Sequence, residues 1–151
     1  MEQEQVFQQI AEFWTNKMPF NQLLGLKITQ FDCKQSEVRF VWQDKLIGNP
    51  IQNILHGGVT AAALDLVGGV VAAANIIDNL DDLSEKNIQQ NLSRLGTIDL
   101  RTDFLRPGRG EEFIATARII RSGSKVAVAR MEMHNEQGEH IAFGTGTYMV
   151  G

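Results

Sequence analysis

The sequence predicts an α+β domain in which one long apolar helix is wrapped by a curved antiparallel β-sheet. Three observations carry this expectation. An alanine-, glycine- and valine-rich run from about Gly57 to Ile77 reads as a helix apolar on all sides, which has to be buried by protein. From residue 97 onward the pattern changes to strand-like segments joined by short turns. The helix precedes this run of strands and does not alternate with them, which favours a layered α+β arrangement.

The elements follow in order. Residues 3–17 place Val6, Ile10, Phe13, Trp14 and Lys17 at helical spacing, so an amphipathic N-terminal helix is expected within 1–18, ended by Pro19. Residues 26–32 and 36–43 read as strands; in the second, Val38, Phe40 and Trp42 alternate with Glu37, Arg39 and Gln43, with Val41 off the pattern. Gly48 to Asn53 is a loop by its turn residues. The long helix follows. Residues 78–95 are polar and read as an excursion outside the core, with Ser84 capping a short helix that carries Ile88, Leu92 and Leu95. Residues 97–107 alternate, with Ile98, Leu100, Thr102 and Phe104 against Asp99, Arg101 and Asp103, and Pro107-Gly108 turns the chain. Residues 111–121, 125–135 and 140–150 are three further strands, with turns at Gly123 and at 135–138. The small residues of the helix would let a curved sheet come close. A sheet curled round one helix leaves open edges, which points to a homo-oligomer.

Composition bounds the rest. The chain has 151 residues, 43% apolar and 21% charged, which suits one domain spanning 1–151. A net charge of −4 makes no electrostatic case for nucleic acid or an anionic membrane surface. Cys33 is the single cysteine, so neither an intrachain disulfide nor a cysteine-based zinc site can form. The N-terminal residues lack the pattern of a signal peptide, and a cytoplasmic protein is expected. Val59 to Ile77 just reaches the length of a membrane span, but Asp65 would sit near its middle at a cost of roughly 2.5–3.5 kcal/mol. A helix buried in protein is the expectation instead.

Candidate chemistry centres on His56-Gly57-Gly58 and Asp65. Glycines at a helix start bare backbone amides that have no intrahelical acceptor, and the helix dipole adds positive potential there. Such a start can hold an anion or a polarised carbonyl oxygen; it can equally be a tight turn and nothing more. Asp65 lies about two turns into the helix, too far in to cap it. A carboxylate there needs a partner. The choices are a structural ion pair with Arg94 or Arg101, an interface hydrogen bond, or a catalytic acid. From Gly57 to Asp65 is roughly 12 Å along the axis, so one chain does not easily bring both to one reacting atom. A neighbouring subunit could supply the acid.

The remaining candidates are Asn49 and Asn53, whose commonest role is turn chemistry, and His56, which can orient the loop. His134 and His140 flank a hairpin and are expected to be exposed. The histidines show no metal-ligand spacing, and neither a metal nor another cofactor is expected. Ser122 and Ser124 form no nucleophile elbow or phosphate loop. Arg106, Arg109, Arg121 and Lys125 lie around strand-end turns, as a solvated rim or as phosphate contacts.

The run LHGGVTAAALD resembles the signature of hotdog-fold acyl-CoA thioesterases of the PaaI-like group. NPIQNILHGG, LSRLGTIDLRTDFLRPGRGE, KVAVARMEMHNEQGE and GTGTYMV extend the resemblance over nearly the whole chain, towards the bacterial YigI-type thioesterases. The resemblance implies a hotdog fold and hydrolysis of medium- to long-chain acyl-CoA to fatty acid and CoA. It implies that the amide of Gly57 or Gly58 polarises the thioester carbonyl. It implies Asp65 as general base or nucleophile, delivered from the neighbouring subunit of a homodimer or tetramer. It assigns Thr97 to positioning the water. The family's Asn, six residues before the His, would fall on Pro50, so Asn49 matches with a one-residue shift. Arg106, Arg121 and Lys125 would hold the CoA phosphates. A non-catalytic acyl-CoA-binding hotdog module is the alternative; dehydratase and hydratase motifs are not found.

Overall fold

The structure, a computed structural model, describes residues 2–151. Gln3–Lys17 forms α1, and Pro19 ends it, as the sequence predicts. Pro19 also opens a second short helix, α2 (Pro19–Leu24), at the position where a missing N–H costs nothing. Gly25 closes α2 in the left-handed region at φ 74°, and a side chain there would meet Gln43. The buried face of α1 is Val6 and Phe7, backed by Ile10 and Trp14; Phe7 and Trp14 both pack on the Phe31 ring. Phe13, expected on that face, is 63% exposed, because the buried stripe is centred one step round the helix.

Strands β1 (Lys27–Gln30) and β2 (Ser36–Val41) follow. A 3-10 turn at Asp44–Leu46 leads to a short ladder of β3 (Ile47–Asn49) and β4 (Ile54–Leu55), which gives the expected loop a defined shape. Then come α3 (Gly57–Asp78), α4 (Glu85–Leu92), and four long strands: β5 (Gly96–Phe104), β6 (Glu112–Ser122), β7 (Val126–Asn135) and β8 (His140–Met149). The six-stranded sheet is antiparallel in the order β1-β2-β6-β7-β8-β5. It curves round α3, the arrangement of a hotdog fold. Ser84 caps α4 by accepting from the Asn87 N–H.

The helix and the sheet meet through small side chains. Ala63, Val67, Val70, Val71 and Ala74 of α3 face Ala115, Ala129, Met131 and Ala142 of the sheet, all buried. This close approach is the reason an alanine- and glycine-rich helix can be a core helix in water. Its length and composition would suit a membrane span, yet most of it is covered by protein.

Three expectations need correction. The polar excursion is not wholly outside the core: Ile88 is buried in it, and Leu80, Leu83, Leu92 and Leu95 pack against it. The alternation in β5 does not place all its apolar residues inward. Ile98 forms a bulge between Thr97 and Asp99 and is 52% exposed; Phe104 is 55% exposed. β5 is an edge strand, so its outer side has no partner strand among the described residues. Nor is α3 wrapped on all sides: Gly58 is exposed, and Ala61, Ala62, Asp65, Leu66 and Gly69 are only half-buried. These six repeat at helical spacing and form one uncovered stripe.

Candidate active site

The start of α3 is held from several sides. The His56 N–H donates to the Leu46 carbonyl at 2.8 Å and the Leu55 N–H to the Gly108 carbonyl at 3.1 Å. Gly48 lies so close that a Cβ there would sit 2.4 Å from the His56 Cα. His56 is the N-cap, with an extended backbone at φ −61° and ψ 132°. Its Nδ1 accepts the Gly58 N–H at 2.8 Å, so the ring proton is on Nε2. A Cβ on Gly58 would stand 2.9 Å from that same nitrogen. The Gly58 amide is therefore already occupied.

The Gly57 N–H is different. Among the described residues nothing accepts it. Gly57 lines a hollow of about 440 Å³ together with Thr60, Phe104, Leu105 and Arg106. Of the two glycines, Gly57 alone presents an unengaged donor at the positive end of the helix dipole.

Asp65 projects from the uncovered stripe of α3. It forms no ion pair among the described residues, and Arg101 pairs with Asp103 instead. Its partners are hydroxyls. Thr97 Oγ1 donates to Asp65 Oδ1 at 2.8 Å. The Tyr148 hydroxyl lies 3.0 Å from the Asp65 carbonyl oxygen and 3.3 Å from Oδ1. Oδ2 has no protein partner among the described residues. The carboxylate borders an apolar hollow of about 400 Å³ lined by Phe20, Ala61, Ala62, Leu66 and Leu100.

Tyr148 was not among the candidates read from the sequence. It is 1% exposed, and burial together with the neighbouring carboxylate pushes its phenol well above the ordinary range. The hydroxyl thus stays protonated. Its ring fills gaps left by two glycines: a Cβ on Gly68 would stand 2.1 Å from the hydroxyl oxygen, and one on Gly146 would stand 2.7 Å from Cε2. Glycines facing each other across helix and strand were the available signal of a large inserted ring.

The other candidates are dispersed. Asn49 Oδ1 accepts from the Ile51 and Gln52 amides, so its carbonyl end is spent on the turn. Asn53 takes the left-handed φ of 56° in the same turn. Arg109 clips that loop through Gln52. Arg106 borders the hollow at Gly57. Arg121 and Lys125 flank the β6–β7 turn, where Ser122 to Ser124 line a hollow of about 260 Å³ with Ala72, Asn75 and Asn79, towards the other end of α3. A wider groove of about 830 Å³ between α1 and β1 has Gln3, Glu4 and Glu12 in its wall and lies away from both Gly57 and Asp65.

His134 and His140 are half-buried and stacked at 4.4 Å, not exposed as expected. They are paired across β7 and β8, and with Glu132 their ligand atoms fall within 4.8 Å of one another. Near-parallel ring planes do not converge on one ion, so this cluster would have to splay to bind a metal.

Residues 52–142 match the family described as the Thioesterase superfamily. The chain is 47% identical to the medium/long-chain acyl-CoA thioesterase YigI of Escherichia coli K12, over 98% of this chain and 96% of that protein. The YigI of Salmonella typhimurium gives the same identity and coverage. A crystal structure of a Shewanella oneidensis protein related to the thioesterase superfamily superposes with a TM-score of 0.93 at 53% identity, covering 99% of this chain and 97% of that one. Sequence and fold agree over nearly the full length, and the chain belongs to the thioesterase superfamily.

Proposed function

We propose that this chain hydrolyses medium- to long-chain acyl-CoA to free fatty acid and CoA, in active sites formed between two copies of the chain. The names of its YigI relatives support the substrate class. The observation that carries the mechanism is the pair of groups without a protein partner among the described residues: the Gly57 N–H at the start of α3 and Asp65 Oδ2 on its uncovered stripe.

The edge strand supports the shared site. Thr97 lies beside Asp65, and the Phe104 ring lies within 3.4 Å of where a Gly57 Cβ would be. If β5 pairs antiparallel with β5 of a second copy, about a two-fold axis near Leu100 and Arg101, Thr97 of one copy comes opposite Phe104 of the other. Asp65 of the partner subunit then stands next to Gly57. The same pairing covers Ile98 and the stripe of α3, and a tetramer would join two such dimers.

In that site the Gly57 N–H donates to the thioester oxygen and stabilises the charge that grows on it. Asp65 of the partner subunit takes a proton from water as the water oxygen bonds to the carbonyl carbon. The C–S bond then breaks, and the CoA thiolate leaves and is protonated. The apolar hollow below Asp65 suits the acyl chain. Arg106 would meet the CoA phosphates from the chain that holds the carbonyl, and Arg121 and Lys125 from its neighbour. A cytoplasmic location goes with this reading.

The test is hydrolysis of decanoyl-CoA and palmitoyl-CoA by wild type and Asp65→Ala in parallel. Turnover by wild type that is lost in the variant with the fold retained is the expected result. Binding without turnover by wild type would favour a non-catalytic module.

A further inference from the structure

We propose that Tyr148 is a positioning residue for hydrolysis: with Thr97 it holds Oδ1 of Asp65, leaving Oδ2 as the oxygen that takes the proton from water. This rests on the reading of Asp65 as the base. Asp65 has two torsions between its backbone and its carboxylate oxygens, and on a half-covered helix face both would be free to turn. The Thr97 hydroxyl alone, at 2.8 Å, fixes one oxygen but lets the group pivot about it. The Tyr148 hydroxyl sits between the Asp65 carbonyl oxygen at 3.0 Å and Oδ1 at 3.3 Å, so it ties the side chain to its own helix backbone. One phenolic proton is shared between these two acceptors. Two hydroxyls gathered at Oδ1 turn Oδ2 away from the protein, towards the uncovered face where water and thioester arrive.

The surroundings make Tyr148 a rigid support. Its ring is enclosed between α3 and the inner face of β8, and Gly68 and Gly146 leave the space it fills. It pairs in register with Thr97 on β5, so both hydroxyls come from neighbouring positions of one sheet. A tyrosine placed only to fill the core would have no need of a hydroxyl aimed at the acid in the middle of this helix.

The test is a double-mutant cycle on turnover. Tyr148→Phe keeps the ring and removes the hydroxyl. It should lower kcat by about 10- to 100-fold, the scale of a small misplacement of a reacting group, with KM within about threefold of wild type. In the Asp65→Asn background the same change should cost nothing further, because Tyr148 acts through that carboxylate. Wild-type kcat in Tyr148→Phe, or an equal loss in both backgrounds, would overturn the inference while leaving Asp65 as the base. An Asp65→Asn protein that turns over normally would instead overturn the underlying reading. Should Tyr148→Phe not fold, the wild-type fold still permits a test, since Tyr148 is the only tyrosine in the chain. Labelled at the phenolic carbon, the protein gives one carbon-13 signal. The signal should move when Asp65→Asn or Thr97→Val alters the shared oxygen; an unmoved signal in both contradicts the contact.

Discussion

Replacing Gly68 by alanine should destabilise the protein, although alanine is the better helix former. Inside a helix the exchange on its own favours folding by about 0.8–1 kcal/mol. At Gly68 the new methyl would stand 2.1 Å from the Tyr148 hydroxyl oxygen, 2.8 Å from Cζ and 3.0 Å from Cε2. The ring has no open space to retreat into, because it is buried and Gly146 closes on the same hydroxyl edge, Oη, Cζ and Cε2. Overpacking of this kind costs about 1–3 kcal/mol. Displacing the hydroxyl from Asp65 adds about 1.5–3 kcal/mol for a hydrogen bond to a charged group. The net loss is about 1.5–5 kcal/mol, the helix propensity being too small to offset it. For a chain of this size that lowers Tm by about 3–20 °C. Thermal unfolding followed by circular dichroism, at one fixed protomer concentration, measures it. Adding Tyr148→Phe should restore part of the loss, since the tightest contact is with the hydroxyl. A Gly68→Ala protein as stable as wild type would refute the packing described for Tyr148.

Three further outcomes are expected. Gly57→Pro removes the proposed donor at a helix position that tolerates proline, and the extended backbone of His56 suits a following proline; kcat should fall about 10²–10³-fold with the helix intact by circular dichroism. Burial and the neighbouring His140 hold the His134 imidazole below its usual value, against the opposing pull of Glu132. The unfolded chain therefore binds the proton more readily, so this contribution to stability is present above about pH 6.5 and is lost as pH falls through the folded value. Urea midpoints should drop between pH 7 and pH 5, and His134→Gln should flatten that slope. Arg106→Ala, Arg121→Ala and Lys125→Ala should each raise KM for acyl-CoA more than they lower kcat; a residue whose replacement leaves KM unchanged is not a CoA contact.

Much of the fold was legible because its signals are local and periodic. The long apolar run of α3, the Ser84 cap, the turn at 135–138 and the alternation of β6 to β8 each report a backbone period that folding does not override. β5 misled because Ile98 forms a bulge and because an edge strand expects cover from outside the chain. The small residues of α3 were read as permitting close packing, which the sheet confirms, but the stripe left bare depends on where the sheet ends. At the site, His56, the glycines and Asp65 stood out as anomalies in an apolar run. The choice between Gly57 and Gly58 was not legible, since it depends on a ring nitrogen turning back to cap one amide. Tyr148 was missed for a related reason: it lies 83 residues from Asp65 in the chain, and only the sheet brings the two together.

The central claim is that one copy's Gly57 and another copy's Asp65 make one site, and mixing two inactive proteins tests it most directly. Gly57→Pro and Asp65→Asn are each expected to be nearly inactive alone. Unfolded together and refolded as an equal mixture, about half of the dimers are hybrids, and each hybrid has one intact site out of two. Turnover of acyl-CoA should return to about a quarter of the wild-type level. If both groups of a site came from the same chain, no hybrid would contain an intact site, and the mixture would stay as inactive as its parts.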